Sequence, residues 1–206
     1  MLLNLHELIK KYNMRITGII HIGAHYGEEI KLYENISTLK SVVLFEPDPD
    51  SFQILQQNIK NPTYIAYNFA LGSQKSKMVL FREESNAGQS NSLLAPKLHL
   101  QQYPHIKFNS FREVDVVLLD NFDFSIDYNM INIDVQGFEL EVFKGSVNTL
   151  KNIQYIFCEV NRAEMYEKCA SVDQIDEFLG NFGFTRVETT WDGVLWGDAL
   201  YIKDKL

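Results

Sequence analysis

The chain has 206 residues, a formal net charge of −8 and 46% hydrophobic residues. That length and composition fit one soluble globular domain covering residues 1–206, and the acidic balance argues against nucleic-acid binding because like charges repel. The two cysteines, Cys158 and Cys169, show no metal-ligand spacing, so a zinc site is not expected. No apolar run approaches the ~18 residues of a membrane span, and the start lacks the order of a secretory leader, which predicts a cytoplasmic protein.

Hydrophobic periodicity predicts strands that alternate with helices along most of the chain. In chain order, the patterns predict a helix at 4–12, a strand at 16–22, a helix at 28–36, a strand at 41–47, a helix from Pro49, strands at 63–71 and 77–83, a strand or extended arm at 114–120, a strand at 128–135, a helix at 138–150, a strand at 154–160, a helix from Ser171, and strands at 184–191 and 198–203. This alternation predicts an α/β fold with a Rossmann-like, mainly parallel sheet and helices on both faces. The short link between the last two strands makes that pair antiparallel. Residues 84–110 are polar and poorly periodic, and they predict an inserted loop or lid.

Two of the predicted strand ends carry the features of a nucleoside site, because ligands bind beyond the carboxyl ends of strands in such sheets. Gly23, Ala24 and Gly27 follow the first strand, where a bare backbone can approach a ligand with its amides. Glu46 ends the second strand, 19 residues after Gly27, where an acid accepts hydrogen bonds from both ribose hydroxyls. Each feature has a plainer interpretation, namely a tight turn and a solvated acid. Together they favour a ribose-bearing cofactor.

The glycine loop argues against a diphosphate. His25 stands where the dinucleotide fingerprint has its middle glycine, and no Gly-Lys-Ser/Thr follows, so neither a dinucleotide site nor a P-loop is indicated. A nucleoside without phosphates fits better, and S-adenosylmethionine is one. A nicotinamide-dependent oxidoreductase remains the alternative enzyme class.

Several segments occur in the order and spacing typical of one enzyme family. They are HIGAHYG (21–27), FEPDP (45–49), NFALG (68–72), SNSLL (90–94), VVLLDNF (116–122) and INIDVQGFELEVFKGS (131–146). Over about residues 19–160 the chain therefore resembles the FkbM-type methyltransferases, which are similar to class I S-adenosylmethionine-dependent enzymes. The resemblance implies a seven-stranded sheet whose final strand is inserted antiparallel. It also implies methyl transfer, usually to a hydroxyl of a sugar or a secondary metabolite.

The resemblance also implies roles for particular positions. The methionine part of the cofactor would lie along residues 23–27, including His25, and Glu46 would bind the ribose. The adenine would lie against Asn68, Phe69 and Ala70, and Asp134 would lie beneath the sulfonium. The family usually has Asp and Asn where this chain has His21 and His25, so Glu28 or Glu29 is the candidate replacement for the missing acid.

Three carboxylates are the candidate catalytic groups. Asp134 and Glu159 end adjacent predicted strands, so they can form a general base with a partner, or two ligands for a divalent cation such as Mg²⁺. Glu139 is a third candidate, although an acid in a first helical turn also simply complements the helix dipole. Asp134 has an alternative role as a turn cap, and Glu159 has one in a strand-end salt bridge. His99 and His105 are alternative bases, or else surface-loop residues.

The leading hypothesis is an S-adenosylmethionine-dependent O-methyltransferase. Its partner would be a small molecule with a hydroxyl, with a sugar or glycan precursor as the leading candidate, and neither a nucleic acid nor a membrane. Besides the oxidoreductase, a binding protein that uses the same scaffold without catalysis is a further alternative, because His21 and His25 depart from the family pattern.

Overall fold

The computed structural model describes residues 2–124 and 127–204. The strands are β1 (Gly18–Ile22), β2 (Ser41–Phe45), β3 (Tyr64–Tyr67), β4 (Ala70–Leu71), β5 (Ser76–Arg82), β6 (Ser110–Val117), β7 (Met130–Ile133), β8 (Tyr155–Asn161), β9 (Phe184–Asp192) and β10 (Trp196–Lys203). The α-helices are α1 (Leu5–Lys11), α2 (Ile30–Tyr33), α3 (Pro49–Asn58), α4 (His99–Gln102), α5 (Glu139–Lys144) and α6 (Val172–Gly180). None of the helices in these two stretches is long and apolar enough to cross a membrane.

Seven strands form the main sheet in the order β3-β2-β1-β7-β8-β10-β9. The first five run parallel, and β10 lies antiparallel between β8 and β9. This arrangement confirms the predicted α/β fold, including the inserted antiparallel strand.

Apolar residues cover both faces of the sheet, because its central strands are buried on both sides. Ile20 and Ile22 of β1 belong to the core cluster that includes residues of α5 and α6. Ile19 faces the opposite cluster, which includes residues of α1, α2 and α3. The two helix layers therefore leave the ends of the strands as the place for a ligand.

The predicted strand at 63–71 is in fact two strands. Residues of β3 pair with β2 in the main sheet, whereas β4 pairs with β6 in a second, three-stranded sheet ordered β4-β6-β5. Asn68 lies between them, and its side-chain nitrogen donates to the carbonyls of Glu46 and Pro47 at 2.8 and 3.0 Å. These bonds hold the chain as it leaves the main sheet. Of residues 114–120, predicted as a strand or an extended arm, 114–117 belong to β6 and 119–120 to a 3-10 turn at Leu119–Asn121.

Two predicted helices are shorter than their patterns. The helix expected at 28–36 is only α2, and the helix expected at 138–150 ends at Lys144, with a separate 3-10 turn at Thr149–Lys151. A β-carbon at Gly145 would lie 2.0 Å from the carbonyl oxygen of Gly72. The backbone of the second sheet therefore meets the end of α5, which the local sequence pattern does not reveal.

Candidate functional site

A cavity of about 620 Å³ opens at the carboxyl ends of β1, β2, β7 and β8. Its wall includes four predicted cofactor residues and one further predicted catalytic carboxylate: Gly23, His25, Glu46, Asp134 and Glu159. Residues from the segment at 84–110, from 165–166 and from β10 complete the wall, including Ser90, His99, Tyr103, Tyr166, Trp196 and Asp198. The predicted loop thus contributes directly to this cavity.

The glycine loop meets protein backbone rather than open space. The amides of Gly23 and Ala24 donate to the carbonyl of Phe45 at 3.0 and 2.9 Å. Gly23 has φ +82°, and a β-carbon there would lie 1.8 Å from the carbonyl oxygen of Asp134. The prediction that these two amides face a ligand is therefore wrong. Gly23 is needed because β1 and β7 run into close contact just past their ends.

Glu46 lies at the boundary between this loop and the cavity. Its two carboxylate oxygens accept hydrogen bonds from the amides of His25 and Asp48, each at 2.8 Å. Burial raises the pKa of the Glu46 carboxyl to about 7, although both hydrogen bonds act in the opposite direction. A group held in this way needs little reorganisation to accept further hydrogen bonds from a ligand.

His25 ties the loop to the segment that follows β5. Its Nδ1 lies 2.7 Å from the carboxylate of Glu28, and its Nε2 lies 2.8 Å from the carbonyl oxygen of Ala87. The hydroxyl of Tyr26 donates to the same carbonyl at 3.1 Å. Burial lowers the pKa of His25, but the bonds to Glu28 and Ala87 raise it more, and the net shift is upward.

His21, at the position of the family's usual acid, is a packed histidine. It is buried, and its Nδ1 lies 3.2 Å from the hydroxyl of Tyr33, which accepts a bond from the Asn132 side chain at 2.6 Å. Burial lowers the pKa of His21. The neutral imidazole therefore cannot supply the negative charge of an aspartate.

Five other predicted cofactor residues do not line the cavity. Ala24 and Ala70 are buried in the core, and a β-carbon on Gly27 would press on Ile30 and Leu55. Asn68 bonds to the main chain of the β2 end, and the ring centroid of Phe69 lies 6.4 Å from that of Phe122. The structure therefore does not place the predicted adenine residues, Asn68, Phe69 and Ala70, in the cavity wall.

The three predicted catalytic carboxylates do come together. Oxygen atoms of Asp134, Glu139 and Glu159 all lie within 4.8 Å of one another. Ile133 pairs with Cys158 in the parallel register of β7 and β8, and the next residue of each strand is one of these acids. The Glu139 Oε1 atom accepts from the amides of residues 135 and 137 at 3.1 and 3.0 Å. Its Oε2 atom is buried without a partner among the described residues.

Gln136 joins two of these carboxylates, and the sequence did not point to it. Its side-chain nitrogen donates to Asp134 at 2.7 Å and to Glu159 at 2.9 Å. Its side-chain oxygen accepts from the hydroxyl of Tyr166 at 2.7 Å, and its carbonyl accepts from Ser92 at 2.7 Å. Gln136 also has φ +54°, so the turn that positions this amide has a backbone conformation that residues other than glycine rarely adopt.

Burial changes the acidity of the whole cluster. It raises the pKa of Asp134 to about 6 and that of Glu139 to about 7, and it raises the pKa of Glu159 well above its ordinary value. Repulsion among the carboxylates adds to the effect of burial. Carboxyl groups with raised pKa values can accept a proton near neutral pH, which is the requirement for a general base.

The same geometry does not favour the predicted Mg²⁺ site at Asp134 and Glu159. The amide nitrogen of Gln136 lies within 2.9 Å of oxygens of both carboxylates. A cation that bridged those oxygens would have to displace this amide nitrogen. The side-chain oxygen of Gln136 accepts a hydrogen bond from Tyr166, and this bond keeps the nitrogen turned toward the carboxylates. These residues therefore present an amide-bridged pair rather than an open cation position.

Aromatic and polar side chains also line the cavity. His99 is buried, and its Nε2 lies 3.1 Å from the hydroxyl of Ser90, so it is not the surface-loop residue that one interpretation expected. Trp196 donates from its ring nitrogen to the hydroxyl of Tyr103 at 2.8 Å. Asp198 is buried and accepts hydrogen bonds from the amides of residues 2 and 3. Asp198 was missed because its place opposite Glu159 depends on the β8–β10 pairing.

A family model described as the methyltransferase FkbM domain matches residues 21–186. Among curated proteins, the chain is 24% identical over 173 residues to the 2-O-methyltransferase NoeI of Sinorhizobium fredii, covering 80% of this chain and 71% of NoeI. It is 28% identical over 127 residues to the hexuronic acid methyltransferase AglP of Haloferax volcanii, covering 61% of this chain and 49% of AglP.

Solved structures share the fold at low sequence identity. The methyltransferase FkbM from Methylobacillus flagellatus superposes with a TM-score of 0.59 at 15% identity, over 91% of this chain and 44% of that one. Magnesium protoporphyrin IX methyltransferase from Synechocystis, solved with bound S-adenosylmethionine, gives 0.55 at 10% identity, over 97% of this chain and 76% of that one. The chain thus spans less than half of AglP and of the Methylobacillus protein.

Proposed function

The chain belongs to the FkbM methyltransferase family, and from that premise we propose that it is an S-adenosylmethionine-dependent O-methyltransferase. Its acceptor is a hydroxyl of a small molecule, and a sugar hydroxyl is the leading candidate. The observation that carries the proposal is that the half-buried carboxylate of Asp134, the buried carboxylate of Glu159 and the acid at Glu46 line one cavity at the strand ends.

The donor groups in the cavity suit this cofactor. Glu46 presents a carboxylate to ribose hydroxyls, and the remaining acids complement the sulfonium and ammonium cations. Glu28 is hydrogen-bonded to His25, so Glu29, which lines the cavity near His21, is the better replacement for the missing aspartate. A dinucleotide fits poorly because no Lys or Arg is among the described residues of the wall.

The residues of the chain have distinct parts in the reaction. When bound, the cofactor supplies a methyl group whose S–C bond breaks, leaving the electron pair on sulfur as the new O–C bond forms. Asp134 and Glu159 hold the acceptor hydroxyl and take up its proton. Gln136 positions both carboxylates, and Glu139 fixes the turn that bears Gln136.

The name of one relative favours transfer to oxygen, and the name of the other favours a sugar acceptor. NoeI is described as a 2-O-methyltransferase and AglP as a methyltransferase of hexuronic acid. Aromatic side chains at Tyr103 and Trp196 in the cavity wall provide faces on which a sugar ring can stack.

Two measurements test the proposal. S-adenosylhomocysteine should raise the melting temperature and NAD should not, since a ligand at a hundred times its Kd adds ~2.7 kcal/mol. A shift with NAD alone would reject it in favour of an oxidoreductase. On a substrate found by screening glycosides, Asp134→Asn and Glu159→Gln should each lower kcat by ~10²–10⁴-fold, whereas the exposed Glu177→Gln should not. Cofactor binding with no transfer to any hydroxyl would indicate the non-catalytic alternative.

A further inference from the structure

The charged side chains of the cavity wall are mostly acidic. Its described residues include no Lys or Arg. They do include six acids: Glu28, Glu29, Glu46, Asp134, Glu159 and Asp198. Three of the six, Glu46, Glu159 and Asp198, are buried, so water does little to screen their charge.

Cations close to these segments along the chain are engaged elsewhere. Arg82 pairs with Asp48 at 2.6 Å and with Asp50 at 2.6 Å. Arg162, one residue beyond β8, lies over the ring of Trp191 at 3.8 Å from its centroid. Neither arginine lines the cavity, so neither offers its charge to a ligand there.

Three of the four histidines of the wall, His21, His25 and His99, offer a ligand no free positive charge, and the fourth, His105, is exposed, so water screens its interactions. Burial lowers the pKa of His21 and of His99, so both are neutral at pH 7. His25 has a raised pKa, but its ring already bonds to Glu28 and to a main-chain carbonyl. An anionic group would find no free cationic partner among these three side chains.

The part of the wall formed by β8, β10 and Tyr103 instead suits uncharged hydroxyls. Glu159 and Asp198 lie opposite each other on β8 and β10, and both are hydrogen-bond acceptors when ionised. Tyr103 and Trp196 add aromatic surface beside them. Acceptor oxygens beside flat apolar faces match a ring that carries hydroxyl donors on its edge.

We propose that the methyl acceptor is an uncharged sugar, and that acids at Asp134, Glu159 and Asp198 exclude anionic sugars from the site. Hexuronates, sugar phosphates and nucleotide-diphosphate sugars are the excluded classes. The reason is that an anion placed among these acids is desolvated without a lysine or arginine partner in the described wall, and it is repelled by those acids that are ionised. This specificity rests on the proposed function, and it differs from what the name of AglP states about that relative.

The test compares acceptors matched in shape. Methyl glycosides of neutral hexoses, pentoses and deoxyhexoses are incubated with S-adenosylmethionine, together with the methyl hexuronosides and their uncharged methyl esters. Methyl transfer is followed by mass spectrometry. At least one neutral glycoside should be methylated, its hexuronate should have a kcat/KM lower by about ten-fold or more, and the methyl ester should recover most of the loss.

A charge variant makes the test specific. Asp198→Asn should lower the ratio of kcat/KM for the neutral glycoside to kcat/KM for the hexuronate. Glu177→Gln, at an exposed position, should leave that ratio unchanged. A hexuronate that is methylated as fast as its neutral counterpart, or a panel in which no neutral glycoside is methylated, would overturn the inference. Binding of S-adenosylhomocysteine, measured by calorimetry on the same protein, separates these results from failure of the proposed function itself.

Discussion

The backbone amide of His25 donates to the carboxylate of Glu46 at 2.8 Å. This bond joins the glycine loop after β1 to the acid that ends β2. Because the amides of residues 23 and 24 are already bonded to the β2 end, the loop and Glu46 form one unit rather than two independent contacts. The acid is thus held in place before any cofactor arrives.

Glu46→Gln should weaken binding of S-adenosylhomocysteine by about ten- to a hundred-fold, since a hydrogen bond to a charged group contributes about 1.5–3 kcal/mol. Titration calorimetry measures the change. Glu34→Gln, an exposed substitution at the end of α2, is the control and should bind like the wild type. An unchanged Kd in a folded Glu46→Gln protein would show that Glu46 does not contact the cofactor.

Gly23→Ala should destabilise the chain even without cofactor. The positive φ alone costs about 1–3 kcal/mol, and the added β-carbon would meet the Asp134 carbonyl. Gly180→Ala is the matched control, because no atom lies within 4 Å of a β-carbon there; it should be neutral or slightly stabilising. Urea unfolding of both variants measures the difference. A Gly23→Ala protein as stable as the wild type would contradict the close approach of β1 and β7.

The stability of the cofactor-free chain should fall as pH rises from about 5 to about 8. The folded-state pKa values of Asp134 and Glu139, about 6 and about 7, lie above their ordinary values. Their stabilising effect is therefore complete below the unfolded-state pKa values and is lost as pH rises through the folded ones.

Glu139→Gln should flatten this pH profile. Glutamine can still accept hydrogen bonds from the two turn amides through its oxygen. It no longer titrates, and the titration of Glu139 accounts for up to about 3 kcal/mol of the pH-dependent change in the free energy of unfolding. Urea unfolding between about pH 5 and about pH 8 compares it with the wild type and with Glu177→Gln, which should follow the wild type. Parallel profiles for wild type and Glu139→Gln would rule out Glu139 as the titrating group.

Chelation should leave methyl transfer unchanged. The Gln136 amide already bridges Asp134 and Glu159, so turnover with EDTA should equal turnover with added Mg²⁺. Activity that disappears with EDTA and returns with Mg²⁺ would instead assign these carboxylates to a metal.

Local patterns were informative where one segment determines its own structure. The strand β1 is present as its apolar run predicts, and α6 begins after Ser171 as predicted, with a capping box formed by Ser171 and Gln174. The order of strand ends then brought Asp134 and Glu159 together, because parallel strands align their carboxyl ends. Predictions were wrong where distant backbone intervened, as at Gly145, where contact with Gly72 ends a helix that the periodicity extends.

The sequence by itself determined the α/β fold and the convergence of Asp134 and Glu159, because these follow from periodicity and from the chain order of the strand ends. The family followed from the resemblance of its motifs. Only the tertiary structure decided which groups surround the carboxylate cluster. Gln136, Tyr166 and Asp198 reach it through a strained turn, a distant loop and an antiparallel strand pairing. Contacts between residues so far apart in sequence leave no local pattern, since their geometry is set by packing.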